Sequence, residues 1–134
     1  IGGAREELLL AASDRTLVDV MPQLQEAHER GVRVRVLVSG DAELGFGQVV
    51  RHPQAESVFQ QLGQSIVVVA DGAQALVGGT GAEDTAVWTG NRHLVFIARQ
   101  YIWQEMFTQR ASERLGRDLW AVLTPEERKA IFGE

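Results

Sequence analysis

Five apolar residues in a row, Ile66-Val67-Val68-Val69-Ala70, run directly into Asp71-Gly72 and then into a more alternating stretch, Ala73-Gln74-Ala75-Leu76-Val77. β-branched side chains suit a pleated strand, and glycine accepts positive φ at no steric cost. The pattern predicts a β-hairpin whose first strand is buried on both faces. Gly78-Gly79 then lets the chain turn away or approach something closely.

Two further strands are predicted upstream. Glu7–Ala12 reads as a short buried strand, and Val32 to Ser39 as a strand half-exposed at its start and fully buried by Val36–Val38. Between them, after the turn and cap residues Ser13 and Asp14, Leu17, Val20, Met21, Leu24 and Ala27 recur at helical spacing over Thr16–Arg30. Gly31 suits the position just past that helix. Pro22 is awkward within it and is read as the true first turn, after a preceding bend. Strand, helix and strand together predict a right-handed βαβ unit with parallel strands.

Downstream, Gly40–Pro53 reads as a loop rich in glycine and charge, and Gln54–Leu62 as a short helix ending at Gly63. Thr80–Asp84 reads as a polar loop and Thr85–Thr89 as a short strand. Asn91 is positioned to cap a long helix over Arg92–Leu115. Its apolar residues cover far more than one stripe, so the helix is expected to pack on more than one side. In a chain of 134 residues the expected second partner is another subunit, met through Phe96, Tyr101, Trp103 and Phe107. Asp118–Leu123 reads as another short helix anchored by Trp120. Thr124-Pro125-Glu126-Glu127 is the N-terminal signature of a last helix ending near Phe132.

A chain of this length, 45% hydrophobic, accommodates one α/β domain with a proper core. With no cysteine it has no disulfide framework, thiolate metal site or cysteine nucleophile. The formal net charge of −5 argues against direct nucleic-acid binding by this segment. No apolar run approaches the roughly 20 residues that span a bilayer. No signal peptide is visible, so a cytoplasmic location is expected. The start Ile1-Gly2-Gly3 carries no Met, and a fragment of a longer protein is expected.

The candidate binding residues fall into three groups. Ser39 and Asp41 follow a predicted parallel strand, at the carboxyl end where ligands bind in open α/β sheets, with His52 in the same loop; the plainer reading is a solvated loop. Trp88, Thr89 and Asn91 sit where a strand opens onto a helix N-terminus: Trp can stack on a sugar or base, and Thr and Asn supply hydrogen bonds. The plainer reading there is a core Trp and a simple cap. Asp71, in the hairpin turn, completes the set. His28 is expected on a polar face, and His93 in the first turn of the long helix. No histidine is paired at metal-ligand spacing, so neither metal nor cofactor is expected. Gly45-x-Gly47 lacks the Gly-Lys-Ser/Thr ending of a phosphate loop. Arg92 and Arg99, two turns apart, could hold an anion, although exposed salt bridges are the simpler expectation.

The order of these pieces resembles a known family. A Gly-Val-Arg-Val-Arg-Val strand start after a helix, a hydrophobic strand ending in Asp71-Gly72, Gly78-Gly79 seven residues on, and Val-Trp-Thr-Gly-Asn leading into a long Tyr-containing helix look like the phospholipase D fold. More narrowly they resemble the C-terminal effector domain of TrmB-type transcription regulators, over about Ala4 to Trp120. The resemblance implies an α/β architecture: a phospholipase D-like mixed sheet flanked by helices, here with a helical C-terminal extension. The phospholipase D motif is His-x-Lys-x-x-x-x-Asp followed by a Gly pair. Asp71 and Gly78-Gly79 match it, but Gln64 stands at the position of the nucleophilic His and Ile66 at that of the Lys. Gln cannot form the phospho-enzyme and Ile cannot hold an anion, so the resemblance implies a catalytically dead site.

It further implies a small-molecule effector (sugars are among those the family binds), dimerisation, and DNA binding only through a fused winged-helix domain absent from these residues. The expected mechanism is a population shift: a ligand near the Gly40–His52 loop and the Trp88–Asn91 corner favours one dimer arrangement. Two other readings stay open. One is a ligand-free dimerisation module. The other is an enzyme of unrelated chemistry using Asp41, His52 or Asp71.

Overall fold

A computed structural model describes residues 3–39, 44–52, 65–79, 85–116 and 122–133, with the backbone alone for Arg51, His52 and Phe132. The described strands are β1 (Glu7–Ser13), β2 (Arg33–Ser39), β3 (Gln48–His52), β4 (Ser65–Ala70), β5 (Gln74–Gly79) and β6 (Thr85–Thr89). The helices are α1 (Asp14–Glu29), α2 (Arg92–Leu115) and α3 (Pro125–Phe132). The strands form one mixed sheet in the order β3-β2-β1-β4-β5-β6. The β1–β2 and β2–β3 pairs are parallel; β1–β4, β4–β5 and β5–β6 are antiparallel.

β1 explains the layering. Its residues from Leu8 to Ala12 are all buried, the run expected of a strand covered on both faces. Alternation sends Leu8, Leu10 and Ala12 into one core with Leu17, Leu24 and Ala27 of α1. It sends Leu9 and Ala11 into a second core with Val95, Ala98 and Ile102 of α2. A fully buried Leu or Ile contributes about 1.5–3 kcal/mol. Leu8, Leu9, Leu10 and Ile102, each 0% exposed, therefore fix which helix covers which face.

The hairpin forms as its sequence predicts. Asp71 and Gly72 have φ of 57° and 64°, and the Ala73 N–H donates to the Ala70 carbonyl at 3.0 Å. α2 also begins and ends where its residues predict. The Asn91 side chain accepts from the amides of His93 and Leu94, and Gly116 closes the helix in the left-handed region. Asn91→Ala is expected to lower stability by about 1 kcal/mol. That loss reads as a lower urea midpoint at unchanged slope. Thr124 and Glu127 form the reciprocal capping box of α3.

Two expectations need correction. Gly40–Pro53 is not all loop, because β3 pairs in parallel with β2 inside it. Gly47, at φ 71°, lets the chain enter that strand; a Cβ there would sit 2.6 Å from the Val34 carbonyl oxygen. Pro22 does not begin a helix: it lies within α1, which starts at Asp14 from the Ser13 cap. The one backbone bond it removes is outweighed by the apolar face of α1 against the sheet. Among the described residues, α2 packs against the sheet with one side and leaves its outer side exposed. Phe96, Ile97 and Phe107 are 51%, 62% and 74% exposed. The predicted Gln54–Leu62 helix, the Thr80–Asp84 loop and the Trp120 anchor lie outside the described residues.

Candidate functional site

Alternation along the strands places Leu37, Val67, Ala75 and Val77 on the α2 side of the sheet, but α2 does not cover that face completely. Beside it lies a partly enclosed cavity of about 370 Å³. Val67, Val77 and Val87 contribute to its floor; Leu94, Ile97, Ala98 and Tyr101 of α2 form a wall. Its polar side chains among the described residues are Ser39, Ser65, Thr89 and Tyr101, and none is charged. Thr89 Oγ1 accepts from the Asn91 N–H at 2.9 Å, which leaves its own proton free to donate. Burial, with the nearby Glu105 carboxylate, raises the Tyr101 pKa, so its phenol stays a donor.

The structure divides the predicted residues. Ser39 and Thr89 share the cavity. Trp88, the neighbour of Thr89, points to the opposite face and is 57% exposed. Asn91 caps α2, its side-chain oxygen committed to two amides. Tyr101, expected at a subunit interface with Phe96, Trp103 and Phe107, lines the cavity. His52 is the register partner of Ser39. Asp41 lies outside the described residues. Ser65, Tyr101 and the valine floor are the contributors that sequence reasoning missed; the available signal was strand alternation, with Ser65 at the polar start of a buried strand.

Asp71 sits at the other end of β4 from Ser65 and has a structural task. Its carboxylate accepts from the amides of Arg5 (3.1 Å), Glu6 (2.7 Å) and Glu7 (2.9 Å), while its own N–H donates to the Glu7 carbonyl. The Glu7 amide holds its pKa below the usual aspartate value; burial opposes this, and the amides of Glu6 and Arg5 and the Arg5 charge add to the lowering. Ile66, at the position of the phospholipase D lysine, packs against the α1-side core.

The remaining cationic groups are engaged elsewhere. Arg99 stacks over Trp103 at 4.8 Å and Phe96 at 5.8 Å, and so does not act with Arg92. Arg33 and Arg35 both pair with Glu7 beside a second recess, of about 410 Å³, that holds none of the predicted residues. His28 stacks on Phe46 at 4.9 Å. Among the described residues no group of three His, Cys, Asp or Glu could hold a metal, and no helix is long and apolar enough to cross a membrane.

Solved structures with this architecture define its class. NucT from Helicobacter pylori superposes with a TM-score of 0.62 at 14% identity, covering 81% of this chain and 82% of its own. Nuc from Salmonella typhimurium, a phospholipase D family member, gives 0.57 at 16%, with the same coverages of 81% and 82%. TrmBL2, described as an archaeal chromatin protein with a novel mode of DNA binding, gives 0.58 at 15% over 77% of this chain. The chain spans only 44% of the TrmBL2 chain. The fold is therefore phospholipase D-like: a mixed α/β sheet flanked by helices. By sequence, the family model for "Transcriptional regulator TrmB, EBD N-terminal subdomain" matches residues 1–109. The chain belongs to the TrmB family of transcriptional regulators. No curated relative matches it by sequence.

Proposed function

We propose that residues 1–134 are a single ligand-sensing and dimerisation domain of a TrmB-type regulator, without phosphodiesterase activity, whose DNA contacts are made by a fused domain. The observation that carries the reading is the cavity between α2 and the sheet, bounded by the helix that also exposes Phe96, Trp103 and Phe107. A ligand touching Leu94, Ile97 and Tyr101 on one flank of α2 would alter the helix whose outer face is available to a second copy. It could then shift the population of dimer arrangements by its differential affinity. Inactivity is supported by Gln64 and Ile66 at the motif positions, by the packing of Ile66 in the core, and by the commitment of the Asp71 carboxylate to three amides.

Thermal unfolding against small-molecule classes tests the sensing role. A ligand at about 100 times its dissociation constant adds roughly 2.7 kcal/mol. For a domain of this size the midpoint should rise on the order of 5–10 °C. Ligand affinity should also depend on DNA in the fused protein; independence of the two would reject the mechanism. The ligand-free dimerisation module is the second reading, favoured by the exposed apolar face of α2. It predicts a flat thermal response and a dimer weakened by Trp103→Ala and Phe107→Ala.

A further inference from the structure

The chemistry of the cavity restricts what it can take, granted the ligand-sensing reading above. A sugar carries a hydroxyl on nearly every carbon, and each one removed from water needs a partner. Here the floor is valine and alanine, and the α2 wall is Leu94, Ile97 and Ala98. Partners among the described residues are few: the hydroxyls of Ser39 and Ser65, the Thr89 hydroxyl already occupied as an acceptor, and the Tyr101 phenol. A phosphate or carboxylate fares worse, since no described lining residue is charged. Arg99, next to the lining Ala98 on α2, is stacked on aromatic rings.

Size points the same way. About 370 Å³ lies at the small end of the roughly 300–1,000 Å³ that small-molecule sites occupy. We propose that this cavity binds a neutral, predominantly apolar small molecule carrying one or two hydroxyl or carbonyl groups. The apolar body lies on the Val67–Val77–Val87 floor against Leu94 and Ile97. Its polar group meets a hydroxyl of Ser39, Ser65, Thr89 or Tyr101.

The test uses the 134-residue chain and three probes: 1-naphthol, maltose and glucose 6-phosphate. Each is followed by thermal unfolding and by isothermal titration calorimetry. The expected result is saturable one-to-one binding of 1-naphthol with a raised midpoint, and no response to the other two. Val77 is 43% exposed, so Val77→Trp should fold while filling the floor. It is expected to weaken 1-naphthol binding at least tenfold, with the unliganded midpoint and circular dichroism unchanged. Should that variant fail to fold, Tyr101→Phe serves. It is expected to reduce affinity for 1-naphthol severalfold, or to leave it unchanged with Ser39→Ala doing so instead, while naphthalene binding is untouched in both.

Binding of maltose or glucose 6-phosphate without 1-naphthol would overturn the inference and keep the sensing role. Binding of 1-naphthol at full strength in folded Val77→Trp would overturn it too, by placing the ligand elsewhere. Silence from all three probes would overturn the inference together with the sensing role on which it rests.

Discussion

Ile102→Ala is expected to destabilise the chain by about 4 kcal/mol, toward the upper part of the range for large-to-small core changes. Ile102 is fully buried at the centre of the α2-side core, against side chains contributed by β1, β2, β3, β4 and β5. Equilibrium urea unfolding reads the loss directly, provided the transition stays two-state. Since α2 also walls the cavity, the variant should weaken ligand binding under conditions where it remains folded. Phe107→Ala gives the contrast. At 74% exposure its removal should change monomer stability by no more than about 0.5 kcal/mol. Any larger effect of Phe107→Ala on oligomer dissociation would then report the outer face of α2 alone.

Asp71→Ala is the second large effect, at about 3 kcal/mol. The three amides of Arg5, Glu6 and Glu7 lose their acceptor, which costs about 2 kcal/mol once the exposure of the carboxylate is discounted. Holding alanine at the φ of 57° adds about 1 kcal/mol. Asp71→Asn keeps one acceptor oxygen and tolerance of that backbone, so its cost should be nearer about 1 kcal/mol. The pH dependence has a definite sign. The folded pKa is lowered from 3.8, so the contribution of Asp71 is present above that value and lost as pH falls through the lower, folded one. Acid titrations of unfolding free energy for the native chain and Asp71→Asn should therefore converge at low pH.

These two residues also mark what the sequence discloses. Asp71-Gly72 and its flanking runs carry local turn chemistry, and α2 carries a cap at each end, so both elements are legible from neighbours in the chain. β3 is not: Gln48, Arg51 and His52 surround only two valines, of which Val50 is buried. A five-residue edge strand has too little alternation to stand out. The cavity is less legible still. Val67, Val77 and Val87 look like ordinary strand residues, and only the incomplete cover that α2 gives the sheet leaves them open. Tyr101 differs from Trp103 by two positions, which on a helix is a turn of 200° and the difference between a cavity wall and the outer surface. The family, by contrast, is readable from the order of the pieces, with Asp71 and Gly78-Gly79 at the spacing the resemblance requires.

The sheet order has a consequence for how the chain assembles. β4, β5 and β6 pair with their immediate sequence neighbours, and such hairpins close in about 1–10 μs. β1 instead joins β4 from far along the chain, with Leu8 opposite Ala70. Bringing those ends together carries an entropic cost that rises with the logarithm of the intervening length. The β1–β4 seam is therefore expected to be the late event, closing when the meander and the β1-α1-β2 crossover meet. Its last rung is the Asp71 latch, so loss of the carboxylate should speed unfolding while leaving the rate of hairpin formation alone.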